Sequence, residues 1–189
     1  MRHVCVYAAS SDAVDEEYKE AARRTGELIG RRGDTLVYGA GKIGLMGECA
    51  RAVHGHGGRV VGVIPNRLVD LELEYREADE LIVTETMHDR KVIMASRADA
   101  FIALPGSIGT LEEIMEALTL KQLGYHAKPC AFINTRGFYD WLFAFFGTLV
   151  HERFLKEASL DMFAVCATPE AAFEYLDSYE PHSLPKKWF

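Results

Sequence analysis

Two short stretches carry residue types whose spacing fits ligand chemistry. The first is Ala103-Leu104-Pro105-Gly106-Ser107-Ile108-Gly109-Thr110-Leu111-Glu112-Glu113. An apolar run from Ala100 to Leu104 reads as a buried strand, breaks at Pro-Gly and opens a helix at Gly109-Thr110. A strand, a glycine turn and a helix start together make an anion site, because the first helical N–H groups lack internal partners and carry partial positive charge. Glu113 sets a carboxylate beside that site. A plain alternative is a capping box, Thr110-x-x-Glu113, which would account for both residues structurally.

The second stretch is Met87-His88-Asp89-Arg90-Lys91. Thr86 and Asp89 can cap a helix here, which brings Arg90 and Lys91 into or near its first turn. Cations in that position oppose the helix dipole, at a cost of about 0.3–1 kcal/mol each when exposed. Something negative must offset them, either neighbouring Glu or Asp side chains or a bound anion.

A third candidate, Gly39-Ala40-Gly41-Lys42-Ile43-Gly44, matches G-x-G-x-x-G between a strand and a helix. A dinucleotide site would also need an acid ending the next strand, which instead reads Val63-Ile64-Pro65-Asn66. The loop therefore reads as a tight turn that brings backbone close to a smaller ligand. His54-Gly55-His56 reads as a glycine-rich helix end, since i, i+2 residues do not share a helical face. The stripe Trp141, Leu142, Phe145, Phe146, Leu149, Val150 and Phe154 is wide enough to be core or a dimer face. Cys5, Cys49, Cys130 and Cys166 show no C-x-x-C and read as buried free thiols. No metal constellation stands out, and no nucleophile–base arrangement of Cys and His is visible.

The elements that must position these groups alternate. Strands are expected at His3–Ala9, Thr35–Tyr38, Arg59–Ile64, Leu81–Thr84, Asp99–Leu104, Pro129–Ile133 and, weakly, Met162–Cys166. Helices are expected at Val14–Arg32, Leu45–His54, Met87–Arg97, Thr110–Leu123, Tyr139–Phe154 and Pro169–Tyr179, with Asn66–Asp79 an irregular surface excursion containing some helix. Alternation at this spacing indicates right-handed βαβ units and a parallel sheet, hence an α/β, doubly wound Rossmann-like fold, in one domain over 1–180 with a loose tail from 181 to 189. A helix over 87–98 is about 18 Å long and a strand over 99–104 about 20 Å. The chain thus runs down and back by the same distance, which brings Arg90 and the Pro105 turn to one sheet edge, the edge where such folds bind ligands.

The 189 residues carry a net charge of −7 and are 49% hydrophobic and 26% charged, an ordinary soluble composition that argues against a nucleic-acid-coating role. No apolar run approaches the roughly 20 residues needed to cross a bilayer. Met1-Arg2-His3-Val4 enters a strand at once without a signal-peptide layout, so a cytoplasmic protein without membrane attachment is expected.

Together the motifs resemble one family. Pro105-Gly106-Ser107-Ile108-Gly109-Thr110-Leu111-Glu112-Glu113 is similar to the P-G-G-x-G-T-x-x-E motif of the Lonely Guy family, cytokinin riboside 5′-monophosphate phosphoribohydrolases long mislabelled lysine decarboxylases. The resemblance extends to Val4-Cys5-Val6-Tyr7 with Ser10-Ser11, Val37-Tyr38-Gly39-Ala40-Gly41 with Gly44-Leu45-Met46-Gly47, Gly62-Val63-Ile64-Pro65 and Met87-His88-Asp89-Arg90-Lys91. It implies hydrolysis of the N-glycosidic bond of a nucleoside 5′-monophosphate, a cytokinin riboside 5′-monophosphate or AMP, without a cofactor or metal and in a homodimer. Arg90 and Glu113 would be the catalytic pair. Arg90, Lys91, Gly106, Ser107, Ile108, Gly109, Thr110, Glu112 and Thr119 would contact the nucleotide, and Glu72 matches a further binding position. Three departures stand out: Ser107 replaces the second glycine of P-G-G, Ala40 the middle glycine of the second-strand loop, and Ala8-Ala9 a Cys-Gly pair. The competing reading is a non-catalytic nucleotide- or cofactor-binding protein of the same fold. A pyridoxal-phosphate decarboxylase would need a Schiff-base lysine with its supporting residues, and none is recognisable.

Overall fold

A computed structural model of the chain describes residues 1–69, 71 and 73–181. Glu72 and the expected tail beyond Pro181 lie outside the described residues. Seven strands, β1 (His3–Tyr7), β2 (Thr35–Tyr38), β3 (Arg59–Pro65), β4 (Glu80–Thr84), β5 (Ala100–Ala103), β6 (Cys130–Ile133) and β7 (Ala164–Cys166), form one parallel sheet in the order β4-β3-β2-β1-β5-β6-β7. β1 is central: Val4 pairs with Leu36 on one side and Ala100 on the other. The strand order reverses between β1 and β5, the switch point at which a doubly wound sheet opens a crevice.

Alternation along the strands feeds two apolar layers. Val4, Val6, Leu36, Tyr38 and Ile102 face one side, and Cys5, Tyr7, Val37 and Phe101 the other, as a period of two requires. The first layer is covered by α1 (Glu16–Arg31), α2 (Gly44–Gly55) and α7 (Pro169–Ser178), the second by α4 (Met87–Arg97) and α5 (Ile108–Gln122). All four cysteines are buried free thiols. Burial pushes the thiols of Cys49 and Cys130 up to about 12, which disfavours the thiolate form.

Two elements, the excursion after β3 and the apolar helix, shape the surface around the sheet edge. The excursion after β3 begins as a short helix, α3 (Asn66–Val69), and then docks on the glycine loop: Lys42 N–H donates to Leu73 O (3.0 Å) and Tyr75 N–H to Ala40 O (2.8 Å). The apolar helix α6 (Asp140–His151) has no buried residue, and Trp141 and Phe145 are 88% and 55% exposed. The stripe is divided: Leu142 packs against the core and Phe146 against Phe163, while Trp141 and Phe145 form an uncovered face. Among the described residues no helix is long and apolar enough to cross a membrane.

Beneath α6, Phe132 of β6 is fully buried, with the rings of Tyr139, Phe143 and Phe163 edge-on at 5.2, 5.4 and 5.3 Å. Phe132→Ala should cost about 3–5 kcal/mol of stability, read as a fall in the urea midpoint. An unchanged midpoint would mean that this ring cluster does not anchor the β6 side of the sheet.

Candidate active site

The site grows from two helix starts. Thr86 caps α4, its hydroxyl accepting the Asp89 N–H (3.0 Å) and donating to the Asp89 carboxylate (2.6 Å). This fixes the first turn, and Arg90 projects from it beneath the sheet edge. There its Nε donates to Val63 O (3.0 Å) and its Nη1 to Glu113 Oε1 (2.6 Å). Both residues are buried, at 7% and 9% exposure. The first glycine of the second-strand loop makes this possible, since a Cβ on Gly39 would overlap the Arg90 guanidinium. The glycine motif thus houses a protein cation.

α5 begins at Ile108, two residues earlier than the sequence predicts, with Ser107 extended at the N-cap (φ −92°, ψ −161°). Its first internal hydrogen bond runs from Leu111 N–H to Ser107 O (3.0 Å), so the N–H groups of Ile108, Gly109 and Thr110 have no acceptor within the helix. The capping-box reading is corrected here. Thr110 already lies inside the helix, and the Glu113 carboxylate turns to Arg90. Ser107 needs no positive φ, so its replacement of a family glycine strains nothing. Ala40 does adopt one (φ 59°), and its carbonyl is the acceptor that seats Tyr75.

Burial pushes the Glu113 carboxyl above its ordinary range, while the charge and hydrogen bond of Arg90 pull against that shift. Lys91, one residue on, points elsewhere: its ammonium pairs with Glu112 and with Glu116 (2.8 Å), and these partners raise its pKa. Both cations of the first turn are thus offset by carboxylates of α5.

Above the Arg90–Glu113 pair lies a cavity of about 300 Å³. Ser10, Ser107, Gly109, Thr110 and Glu112 give its lining polar groups, and Ile43, Met46, Ile64, Leu68, Leu73 and Met87 give it apolar ones. Of the expected site residues, Arg90, Ser107, Gly109, Thr110, Glu112 and Glu113 meet at this cavity. Gly106 instead borders an adjoining apolar cavity with Pro105, Tyr18 and Phe138, and Lys91 a small one behind Glu113. Ile108 is 84% exposed on the outside of the turn. Thr119 lies farther along α5, donating to Met115 O, and is not at the cavity. Among the described residues no group of His, Cys, Asp and Glu is arranged to hold a metal ion.

Residues 46–176, which include both Arg90 and Glu113, match the family described as possible lysine decarboxylase. The chain is 43% identical over 180 residues to the probable cytokinin riboside 5′-monophosphate phosphoribohydrolase LOGL5 of Oryza sativa subsp. japonica, covering 95% of this chain and 73% of that one. It belongs to the Lonely Guy family. A relative from Arabidopsis thaliana, the cytokinin riboside 5′-monophosphate phosphoribohydrolase LOG5, is 39% identical over 95% of this chain and 79% of its own. The family's fold extends to more distant structures. The molybdenum cofactor binding protein of Rippkaea orientalis superposes with a TM-score of 0.72 at 22% identity, covering 94% of this chain and 96% of that one. The molybdenum cofactor carrier protein of Chlamydomonas reinhardtii does so with 0.72 at 22%, covering 93% and 96%.

The raised pKa of Glu113 has a sign that can be tested. Between its ordinary and folded values the native state binds more protons than the unfolded state, so this group's contribution to stability falls as pH rises through that window. NMR titration should place the Glu113 midpoint above that of an exposed glutamate, and Arg90→Gln should move it higher still. A midpoint that falls on removal of Arg90 would contradict the assigned balance of burial and pairing.

Proposed function

We propose that this chain hydrolyses the N-glycosidic bond of nucleoside 5′-monophosphates, cytokinin riboside 5′-monophosphate and AMP among them, releasing the free base and ribose 5-phosphate. The observation that carries this reading is the buried Arg90–Glu113 pair lining a cavity that the start of α5 also lines. Glu113 is five residues beyond Ile108, about 7.5 Å along the helix axis. A 5′-phosphate held by the N–H groups of Ile108, Gly109 and Thr110, with the Ser107 hydroxyl beside them, then sets its ribose over Glu113. The apolar lining residues Ile64, Leu68, Leu73 and Met87 take the base and suit adenine with or without an isoprenoid substituent.

Breaking the C1′–N bond develops oxocarbenium character on the ribose, as in glycoside hydrolysis. The Glu113 carboxylate stabilises that charge and orients the attacking water, whose oxygen bonds to C1′ while a proton passes to the departing base nitrogen. Arg90 holds Glu113 in its rotamer and favours its ionised form against the effect of burial. The names of the relatives support this chemistry. The non-catalytic reading, a binding protein of the same fold, leaves the carboxylate at the ribose position without a role. In this reading the enzyme uses no cofactor, works in the cytoplasm and forms a homodimer through the uncovered face of α6, around Trp141 and Phe145.

Incubation with AMP and with isopentenyladenosine monophosphate, followed by chromatography, should release base and ribose 5-phosphate. Release from neither would favour the binding-protein reading. Glu113→Gln should lower kcat by about 10²–10⁴-fold with nucleotide affinity nearly unchanged, and retained turnover would remove Glu113 from the mechanism.

A further inference from the structure

The turn between β5 and α5 is held by a residue far from it in sequence. Tyr139, at the N-cap of α6, is 2% exposed and donates its phenol hydroxyl to Leu104 O (2.7 Å). The next residue, Pro105, has no N–H to give. One hydroxyl therefore meets the Leu104 carbonyl at the Pro-Gly bend, just past the end of β5.

The phenol is itself fixed. The Tyr139 N–H donates to Asn134 Oδ1 (2.7 Å), and Asn134 N–H donates to Cys166 O at the end of β7 (2.7 Å). The ring is wedged edge-on between Phe132 and Phe138, at 5.2 and 4.9 Å. Gly106 packs against Thr110 so closely that a Cβ there would overlap the Thr110 side chain, so a shift of the bend moves the first turn of α5 with it.

We propose that Tyr139 is a positioning residue for the phosphate-holding turn, acting through the Leu104 carbonyl and the Pro-Gly bend to aim the N–H groups of Ile108, Gly109 and Thr110. This rests on the reading of that turn as the 5′-phosphate site. It separates the binding of a sugar phosphate from that of a free base, because only the former touches the turn.

The test is Tyr139→Phe, which keeps the ring and removes the hydroxyl, with Asn134→Ala as a second variant that loosens the Tyr139 backbone and keeps the phenol. For Tyr139→Phe, KM for AMP and the inhibition constant of ribose 5-phosphate should both rise about tenfold, with kcat and the inhibition constant of adenine within twofold of wild type. Asn134→Ala should shift ribose 5-phosphate in the same direction by a smaller factor. KM and the two inhibition constants do not depend on the fraction of enzyme that is folded, and kcat is taken per folded, active enzyme. An unchanged ribose 5-phosphate constant in both variants, or an equal loss for adenine, would overturn the proposal while leaving the hydrolase reading intact. Wild-type protein that neither binds ribose 5-phosphate nor cleaves AMP would overturn both.

Discussion

The Arg90–Glu113 ion pair is the interaction on which the site depends. Removing two charges from water costs several kcal/mol per ion, recovered only when the geometry is good and the remaining donors are satisfied. Here one guanidinium edge is spent on Glu113 and another donor on Val63 O, and the bare backbone of Gly39 lets the group sit close to the sheet edge. The pair also ties together the two helices that flank β5. The cap at Thr86, the length of β5 and the start of α5 must agree within the reach of one side chain, or a charge is left buried alone.

Much of this was legible in the sequence. The alternation of strands and helices predicted the doubly wound parallel sheet, and the matched lengths of α4 and β5 predicted that Arg90 and the Pro105 turn would share an edge. Less legible was the start of α5, where Ser107 caps with its backbone conformation and no side-chain bond, leaving the Thr110-x-x-Glu113 pattern as a plausible alternative. The direction of Lys91 follows from helix geometry, since neighbours on a helix lie about 100° apart and Arg90 pointing inward sends Lys91 sideways to Glu112 and Glu116. Leu68 and Leu73 come from an excursion without periodicity, and Tyr139 acts across 35 positions, so no local pattern marks them.

The G-x-G-x-x-G loop shows how one motif serves different ends. In a dinucleotide fold its glycines admit a pyrophosphate. Here Gly39 admits an arginine of the same chain, and Ala40, in a conformation that favours glycine, turns its carbonyl toward Tyr75 so that the excursion can wall the cavity. The missing acid after β3, which argued against a dinucleotide, is consistent with apolar Ile64, Leu68 and Leu73 in the cavity lining.

The strand order also bears on how the chain is made. β1 is complete within the first residues but pairs on one side with β5, roughly a hundred residues later. During synthesis, the amino-terminal half can assemble β1 to β4 and still lack the strand that completes the crevice. Arg90 emerges before its counter-ion, 23 positions ahead of Glu113, and its burial beneath the sheet must wait for α5. Glu113 thereby sets when α4 can dock fully: until this carboxylate leaves the ribosome, Arg90 is a cation whose place is in water.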